Sequence, residues 1–123
     1  MSGRRRVGYV LVTLVAAACA IVATAGPAVA HASLVEASPT QGSVVADQPS
    51  SVRLTFNEPV EVTVQAIRIV GPDGKAVEGL SPGIDPHDGD SLVVALPKSL
   101  PDGTYAVSWR VLSVDGHPVE GQF

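Results

Sequence analysis

The sequence predicts an all-β protein, an antiparallel β-sandwich of Greek-key type, and three observations predict it. Short alternating apolar and polar runs recur along residues 31–123, and nothing there has the 3.6-residue period of an amphipathic helix. Proline and glycine, ten and twelve in the whole chain, separate these runs at hairpin-like intervals. Residues 100–105 (LPDGTY) also resemble a tyrosine corner, in which a tyrosine hydroxyl bonds the backbone upstream in a Greek-key sandwich.

Four segments have the composition of strands: residues 51–56, 62–70, 91–96 and 105–111. The second is followed by a Gly-Pro-Asp-Gly turn signal at residues 71–74. The first and last alternate clearly, so their apolar sides are predicted to face the core. These core positions are Val52, Leu54 and Phe56, then Tyr105, Val107, Trp109 and Val111.

Residues 119–123 (VEGQF) resemble the beginning of a strand and have no polar tail. A sandwich needs a strand at this point to cover its core. We therefore expect the sandwich to lack its last strand, and the natural chain to continue beyond Phe123.

The first thirty residues have the layout of a secretory signal peptide. Three arginines at residues 4–6 precede a long apolar run, which ends in the small residues Ala28-Val29-Ala30. Cleavage after Ala30 would make His31 the first residue of the domain, residues 31–123. Two alternatives stay open: an uncleaved membrane anchor, since about twenty apolar residues span a bilayer, and lipid attachment at Cys19.

Residues 31–123 are acidic and contain no sulfur. They keep five of the eight Lys and Arg residues and all twelve Asp and Glu, for a net charge of −7. A domain of this charge without a basic cluster is a poor nucleic-acid binder. The single Cys and single Met both lie before residue 31, which excludes disulfides, thiolate metal sites and cysteine catalysis in the domain.

Two histidines are placed where they can bind a metal. His31, as a first residue, offers its α-amine and its ring nitrogen, while Asp115 and His117 project from one side of an extended Asp-Gly-His segment. Three nitrogens and one carboxylate oxygen suit tetragonal Cu(II). Zn2+ can use the same donors but prefers a tetrahedron. His117 can also be a turn histidine beside Pro118.

The third histidine, His87, lies in the acidic segment 85–90 (DPHDGD). Its spacing does not match a calcium-binding loop, so the segment is predicted to be a solvated loop. The sequence contains no nucleophile elbow, phosphate-binding loop or Ser-His-Asp signature.

Taken together, these residues resemble the CopC family of copper-resistance proteins. The resemblance spans nearly all of the domain and is carried by His31-Ala32, by residues 54–60 (LTFNEPV) and by residues 105–121 (YAVSWRVLSVDGHPVEG). It implies an immunoglobulin-like, cupredoxin-like Greek-key sandwich that is exported to the periplasm, the cell envelope or the medium. It also implies a Cu(II)-binding protein for copper homeostasis, not an enzyme, with His31, Asp115 and His117 as metal ligands.

The resemblance has further implications for partners and metal selectivity. Family members also occur fused to a membrane-spanning copper-import domain or with a C-terminal anchor, so a CopD-like membrane transporter or fused membrane domain is an expected partner. Some members bind Cu(I) at a methionine-rich loop. This domain has no methionine, so the resemblance is to the Cu(II)-only type.

Glu58 is a candidate for orienting the ligands. An acid before Pro59 at a strand end can lie near His31 and accept a hydrogen bond from its amine or ring. It can equally be an exposed edge residue.

Two alternative functions of the protein stay open. One is a copper-brace monooxygenase, which also uses an N-terminal histidine, and the other is a metal-free interaction domain.

Overall fold

The computed structural model describes residues 31–123, so the predicted signal peptide lies outside the described residues. Within this range there are seven strands and no helix, and hence no helix able to cross a membrane. The strands are β1 (Leu34–Ser38), β2 (Ser51–Phe56), β3 (Val60–Val70), β4 (Gly83–Asp85), β5 (Asp88–Ala95), β6 (Ala106–Ser113) and β7 (Pro118–Gln122).

The strands form two antiparallel sheets, with orders β1-β2-β5-β4 and β3-β6-β7. This is the four-plus-three arrangement of a seven-stranded immunoglobulin-type sandwich, so the predicted fold class is confirmed. The core lies between the sheets, and its centre includes Phe56 and Trp109, whose rings meet edge to face with centroids 5.2 Å apart.

The four predicted strands are present, with ends shifted by up to three residues. β3 is irregular, because the six residues from Val62 to Ile67 lie opposite only the three residues from Trp109 to Val111 of β6. The predicted loop at residues 85–90 is wrong in its extent. Pro86 and His87 alone form a tight turn between β4 and β5.

Residues 118–122, expected to be only the beginning of a strand, form β7. β7 pairs with β6 from Leu112 to Ser108 at the edge of the three-stranded sheet, so a strand is present at the position that was expected to be uncovered. Gly121 makes this possible, because its missing side chain leaves room for the indole of Trp109: a Cβ there would lie 2.6 Å from Cζ2.

The tyrosine corner predicted at residues 100–105 is present. The Tyr105 hydroxyl donates to the carbonyl oxygen of Pro101 at 2.6 Å, immediately before β6. This is the position that the corner occupies in Greek-key sandwiches.

Three chain segments meet at one end of the sandwich. The start of β1 lies beside the end of β2, where Leu34 pairs with Phe56, and the start of β3 lies beside the end of β6, where Val60 pairs with Ser113. Residues 31–33, the β2–β3 connection and the β6–β7 hairpin therefore share this end.

Candidate metal centre

The β6–β7 hairpin carries Asp115 and His117. The amide of Ser113 donates to the carbonyl of His117 at 3.0 Å, and the amide of Gly116 donates to the carbonyl of Ser113 at 2.9 Å, which closes the turn. Gly116 has φ +82°, a left-handed conformation that residues with a Cβ rarely adopt. The turn places the two polar side chains on the same side of the hairpin.

The carboxylate of Asp115 is held through one of its oxygens. Oδ1 accepts hydrogen bonds from the hydroxyl of Ser113 and from the backbone amide of His117, the latter at 3.1 Å. Ser113 is only 1% exposed. These two donors, the hydroxyl first, hold the pKa of Asp115 well below its ordinary value, because they stabilise the charged carboxylate.

The other oxygen, Oδ2, faces both histidine rings. It lies 3.1 Å from Nδ1 of His31 and 3.0 Å from Nδ1 of His117. The two rings meet at an angle of 63° with centroids 5.0 Å apart. One ligand atom from each residue lies within 4.8 Å of the others, and all three side chains are reached by solvent.

His31 reaches this cluster from the other sheet, ahead of β1. Ala32 is 2% exposed and packs in the core, and Ser33 is tied to Asn57 by two hydrogen bonds. The segment is thus anchored directly behind His31. Nδ1 is also the ring nitrogen that can close a six-membered chelate with the residue's own backbone nitrogen.

Glu58 lies at the same end, between Asn57 and β3. Its Oε1 is buried and has no hydrogen-bond partner in the part of the chain that the structure describes. A carboxylate oxygen that is buried without a hydrogen-bond donor destabilises the fold. The buried position of Oε1 therefore indicates that it can accept a hydrogen bond from a donor close by. The predicted hydrogen bond with His31 is not formed among the described residues.

The third histidine stays apart from any such cluster. Asp85 accepts from the amide of His87 at 2.9 Å and pairs with Arg53, while Asp88 accepts from the hydroxyl of Ser91. These acids are engaged with protein donors. Among residues 31–123, His31, Asp115 and His117 are the one group with metal-ligating geometry.

The contacts of Ser113 with Asp115 and of Asn57 with Ser33 were not predicted from the sequence. Ser113 continues the core-facing alternation of Val107, Trp109 and Val111, so a polar residue there signals a buried partner. Asn57 follows a strand, a position where asparagine commonly bonds backbone, but its partner in Ser33 lies far away in sequence.

The donors present fit a divalent transition metal that accepts nitrogen and oxygen. Two imidazoles, one carboxylate and, in a chain beginning at His31, an α-amine suit Cu(II) better than any soft cation. Fold and site together define a class: an immunoglobulin-like β-sandwich with an exposed His-Asp-His cluster at one end whose geometry could hold a metal ion.

The chain belongs to the CopC family, since the model of the CopC domain matches residues 34–123. Protein YobA of Escherichia coli strain K12 is 37% identical over 94 residues, which are 76% of each chain. Copper transport protein CutJ of Bacillus subtilis is 36% identical over 92 residues, 75% of this chain but 17% of that much longer protein. The crystal structure of CopC from Methylosinus trichosporium OB3b superimposes with a TM-score of 0.66 and 39% identity, over 76% of this chain and 89% of that one.

Proposed function

We propose that this protein is an extracytoplasmic Cu(II)-binding protein of copper homeostasis, and that His31, Asp115 and His117 hold the metal. One observation carries the proposal: ligand atoms from two separate segments of the chain lie within 4.8 Å of one another. Membership of the CopC family supports copper as the cargo, because a relative in it is a copper transport protein.

Each residue has a distinct task at this site. His31 supplies its α-amine and Nδ1 once Ala30 has been removed, His117 supplies Nδ1, and Asp115 supplies Oδ2. The Nδ1 atoms of His31 and His117 lie 3.1 and 3.0 Å from Oδ2 of Asp115, so the three donor atoms are close enough to share one metal ion. Every donor has to be in its deprotonated, unshared-pair form to bind Cu(II), so protons compete with the metal and binding weakens as the pH falls.

Glu58 serves the same site without touching the metal. Its Oε1 is buried and has no hydrogen-bond partner among residues 31–123. This supports a role as acceptor for the α-amine or a ring N–H of His31, which would fix the orientation of that ligand. Glu58→Gln should therefore weaken Cu(II) binding while leaving one metal bound per domain.

The donor set determines the selectivity. Residues 31–123 contain no sulfur, so the thiolate and thioether ligands that stabilise Cu(I) are absent from the domain. We expect Cu(II) to bind more tightly than Zn2+ or Cu(I). The arrangement binds and releases the metal rather than transforming a substrate.

The partner is a membrane protein that accepts the copper. CutJ is several times longer than this chain. Residues 1–30 predict an exported domain that is cleaved after Ala30. We infer that this domain works with a membrane transporter of CopD type or with a fused membrane domain. In this arrangement the domain collects Cu(II) outside the cytoplasm and delivers it to the membrane.

A Cu(II) titration of the chain beginning at His31 tests the proposal, with the d–d absorbance and a competing chelator as readouts. One Cu(II) should bind per domain, and His117→Ala should lower the affinity by more than tenfold. His87→Ala is the matched control, because this exposed histidine lies outside the cluster, and it should change nothing. Unchanged affinity in His117→Ala would refute the site.

The free amine is tested separately. A chain that keeps one residue before His31 has an amide in place of the α-amine and should bind Cu(II) much more weakly. Equal affinities for the two chains would show that the amine is not a ligand.

A further inference from the structure

The backbone that presents His31 lies outside the sheet. β1 begins only at Leu34, so residues 31–33 are not held by a strand ladder. Terminal segments fray unless something ties them down. His31 nevertheless has to stay beside Asp115, which belongs to the opposite sheet.

Asn57 ties this segment with two reciprocal hydrogen bonds. Its side-chain Oδ1 accepts from the amide of Ser33 at 2.6 Å, and its own amide donates to the carbonyl of Ser33 at 3.0 Å. Asn57 directly follows β2, whose last residue pairs with Leu34. The asparagine thus extends the pairing of β1 and β2 toward His31.

Ala32 alone does not supply this restraint. Its methyl group is buried, but a methyl group contacts the core without fixing the direction of the backbone. The two hydrogen bonds from Asn57 fix the backbone amide and the backbone carbonyl of Ser33, the residue that follows Ala32. With Ala32 inward and Ser33 tied, His31 is directed toward the hairpin.

We propose that Asn57 is a positioning residue for the metal site: it holds the backbone behind His31 so that the amine and Nδ1 of His31 remain together with Asp115. The inference rests on the proposed Cu(II) site. Its physical basis is preorganisation, since a ligand that is already ordered loses less conformational entropy when the metal binds.

Asn57→Ala in the chain beginning at His31 tests it. The change removes the acceptor for the amide of Ser33 and leaves the backbone bond intact. Cu(II) affinity should fall about ten- to a hundredfold, as for other residues that orient a metal ligand. The visible and electron paramagnetic resonance spectra of bound Cu(II) should also shift, because His31 is no longer held as a ligand. Asn57→Asp keeps a side-chain acceptor and should restore most of the affinity and the spectrum.

Gln48→Ala is the matched control. Gln48 also uses a side-chain amide to bind backbone, accepting from the amide of Leu100 at 2.9 Å, but it lies at the opposite end of β2. Its loss should lower thermal stability and leave the Cu(II) spectrum unchanged. If Asn57 has only a structural role, Asn57→Ala should likewise lower thermal stability and leave the Cu(II) spectrum unchanged. That result would overturn the inference.

A double-mutant cycle shows whether Asn57 acts through His31. In a chain that already carries His31→Ala, which removes Nδ1 but keeps the α-amine, adding Asn57→Ala should cost less affinity than it costs in the original chain, whereas independent effects would multiply. Multiplying effects would refute the inference. The effect of His117→Ala on Cu(II) affinity separates this inference from the proposed function. If the proposed Cu(II) site is wrong, His117→Ala has no effect on the affinity. If only the role of Asn57 is wrong, His117→Ala still lowers the affinity.

Discussion

Asp115 divides its two oxygens between the protein and the ligand cluster. Oδ1 is occupied by the hydroxyl of Ser113 and the amide of His117, so only Oδ2 remains free to face the imidazoles. The low pKa that results keeps the carboxylate charged throughout the pH range in which imidazoles bind metals. The site therefore offers one oxygen in a fixed direction before a metal arrives.

Ser113→Ala should lower Cu(II) affinity about tenfold, because Asp115 loses the hydroxyl that orients its carboxylate. The pKa of Asp115 should rise toward its ordinary value, which carboxyl NMR titration of the metal-free protein measures. Ser91→Ala is the control: Ser91 is equally buried and donates to Asp88 at 2.6 Å, away from the cluster. If both variants bind Cu(II) like the original protein, the orienting role of Ser113 is wrong.

Asp85 should make stability depend on pH. The amide of His87 and the guanidinium of Arg53 hold its pKa below the ordinary 3.8. When the pKa of a carboxyl group is lower in the folded protein than in the unfolded one, the group stabilises the fold at pH values above its unfolded pKa. This stabilisation is lost as the pH falls through the pKa of the folded protein.

Asp85→Asn should therefore be less stable than the original protein at pH 7, and the difference should shrink below pH 3.8. Urea denaturation at pH 7 and at the lowest pH that preserves the fold measures both. Asp73→Asn, at an exposed aspartate whose nearest cation is 4.0 Å away, should show little difference at either pH. A difference for Asp85→Asn that stays constant with pH would contradict the assignment.

Among the elements, the β6–β7 hairpin combines the site with the core. Its turn carries Asp115 and His117, while its strands carry Trp109 and the glycine that lies against it. The indole is also packed against Phe56, so it has little room to move. The packing of this hairpin therefore determines where Asp115 and His117 lie.

Gly121→Ala should destabilise the fold by about 1–3 kcal/mol, since the added methyl carbon would lie 2.6 Å from Cζ2 and 2.8 Å from Cε2 of Trp109. Chemical denaturation followed by tryptophan fluorescence measures the change. At Gly89, in β5, a Cβ would meet nothing within 4 Å. Gly89→Ala should stay within about 0.5 kcal/mol of the original protein. Equal stabilities for the two variants would show that Gly121 is not needed for close packing.

At the scale of the whole molecule, the site joins the two sheets. His31 precedes the edge strand of the four-stranded sheet, and Asp115 and His117 belong to a hairpin of the three-stranded one. A metal bound by all three residues links the sheets at one end of the sandwich. Such a site exists only in the folded chain, so metal binding and folding are coupled.

Cu(II) should therefore raise the Tm of the chain beginning at His31. At a free Cu(II) concentration of about 1,000 times Kd, the stabilisation reaches about 4 kcal/mol. Calorimetry with buffered Cu(II) measures it, and a chelator should reverse it. His117→Ala should lose most of this increase, while His87→Ala should keep it; an equal increase in both would place the metal elsewhere.

The predictability of the fold follows the regularity of each strand. β2 and β6 alternate between sheet faces without interruption, so their core residues were predicted correctly. β1 and β4 are short and half-exposed, and they owe their structure to pairing with β2 and β5. Residues 119–123 were predicted only as the beginning of a strand, because the pairing of β7 with β6 and the packing of Gly121 against Trp109 depend on the tertiary structure.

The sequence by itself determined the chemistry available to this protein. It supplies imidazole, amine and carboxylate donors, contains no sulfur in residues 31–123, and alternates as the strands of a sandwich do. Tertiary structure decided which of these donors meet. His31 and the Asp-Gly-His turn are brought together by the order and pairing of the strands. Oδ2 of Asp115 faces the two imidazoles, while a buried serine and a backbone amide donate to Oδ1. The physical reason is that residue types are local properties, whereas distances between remote segments depend on strand register and packing.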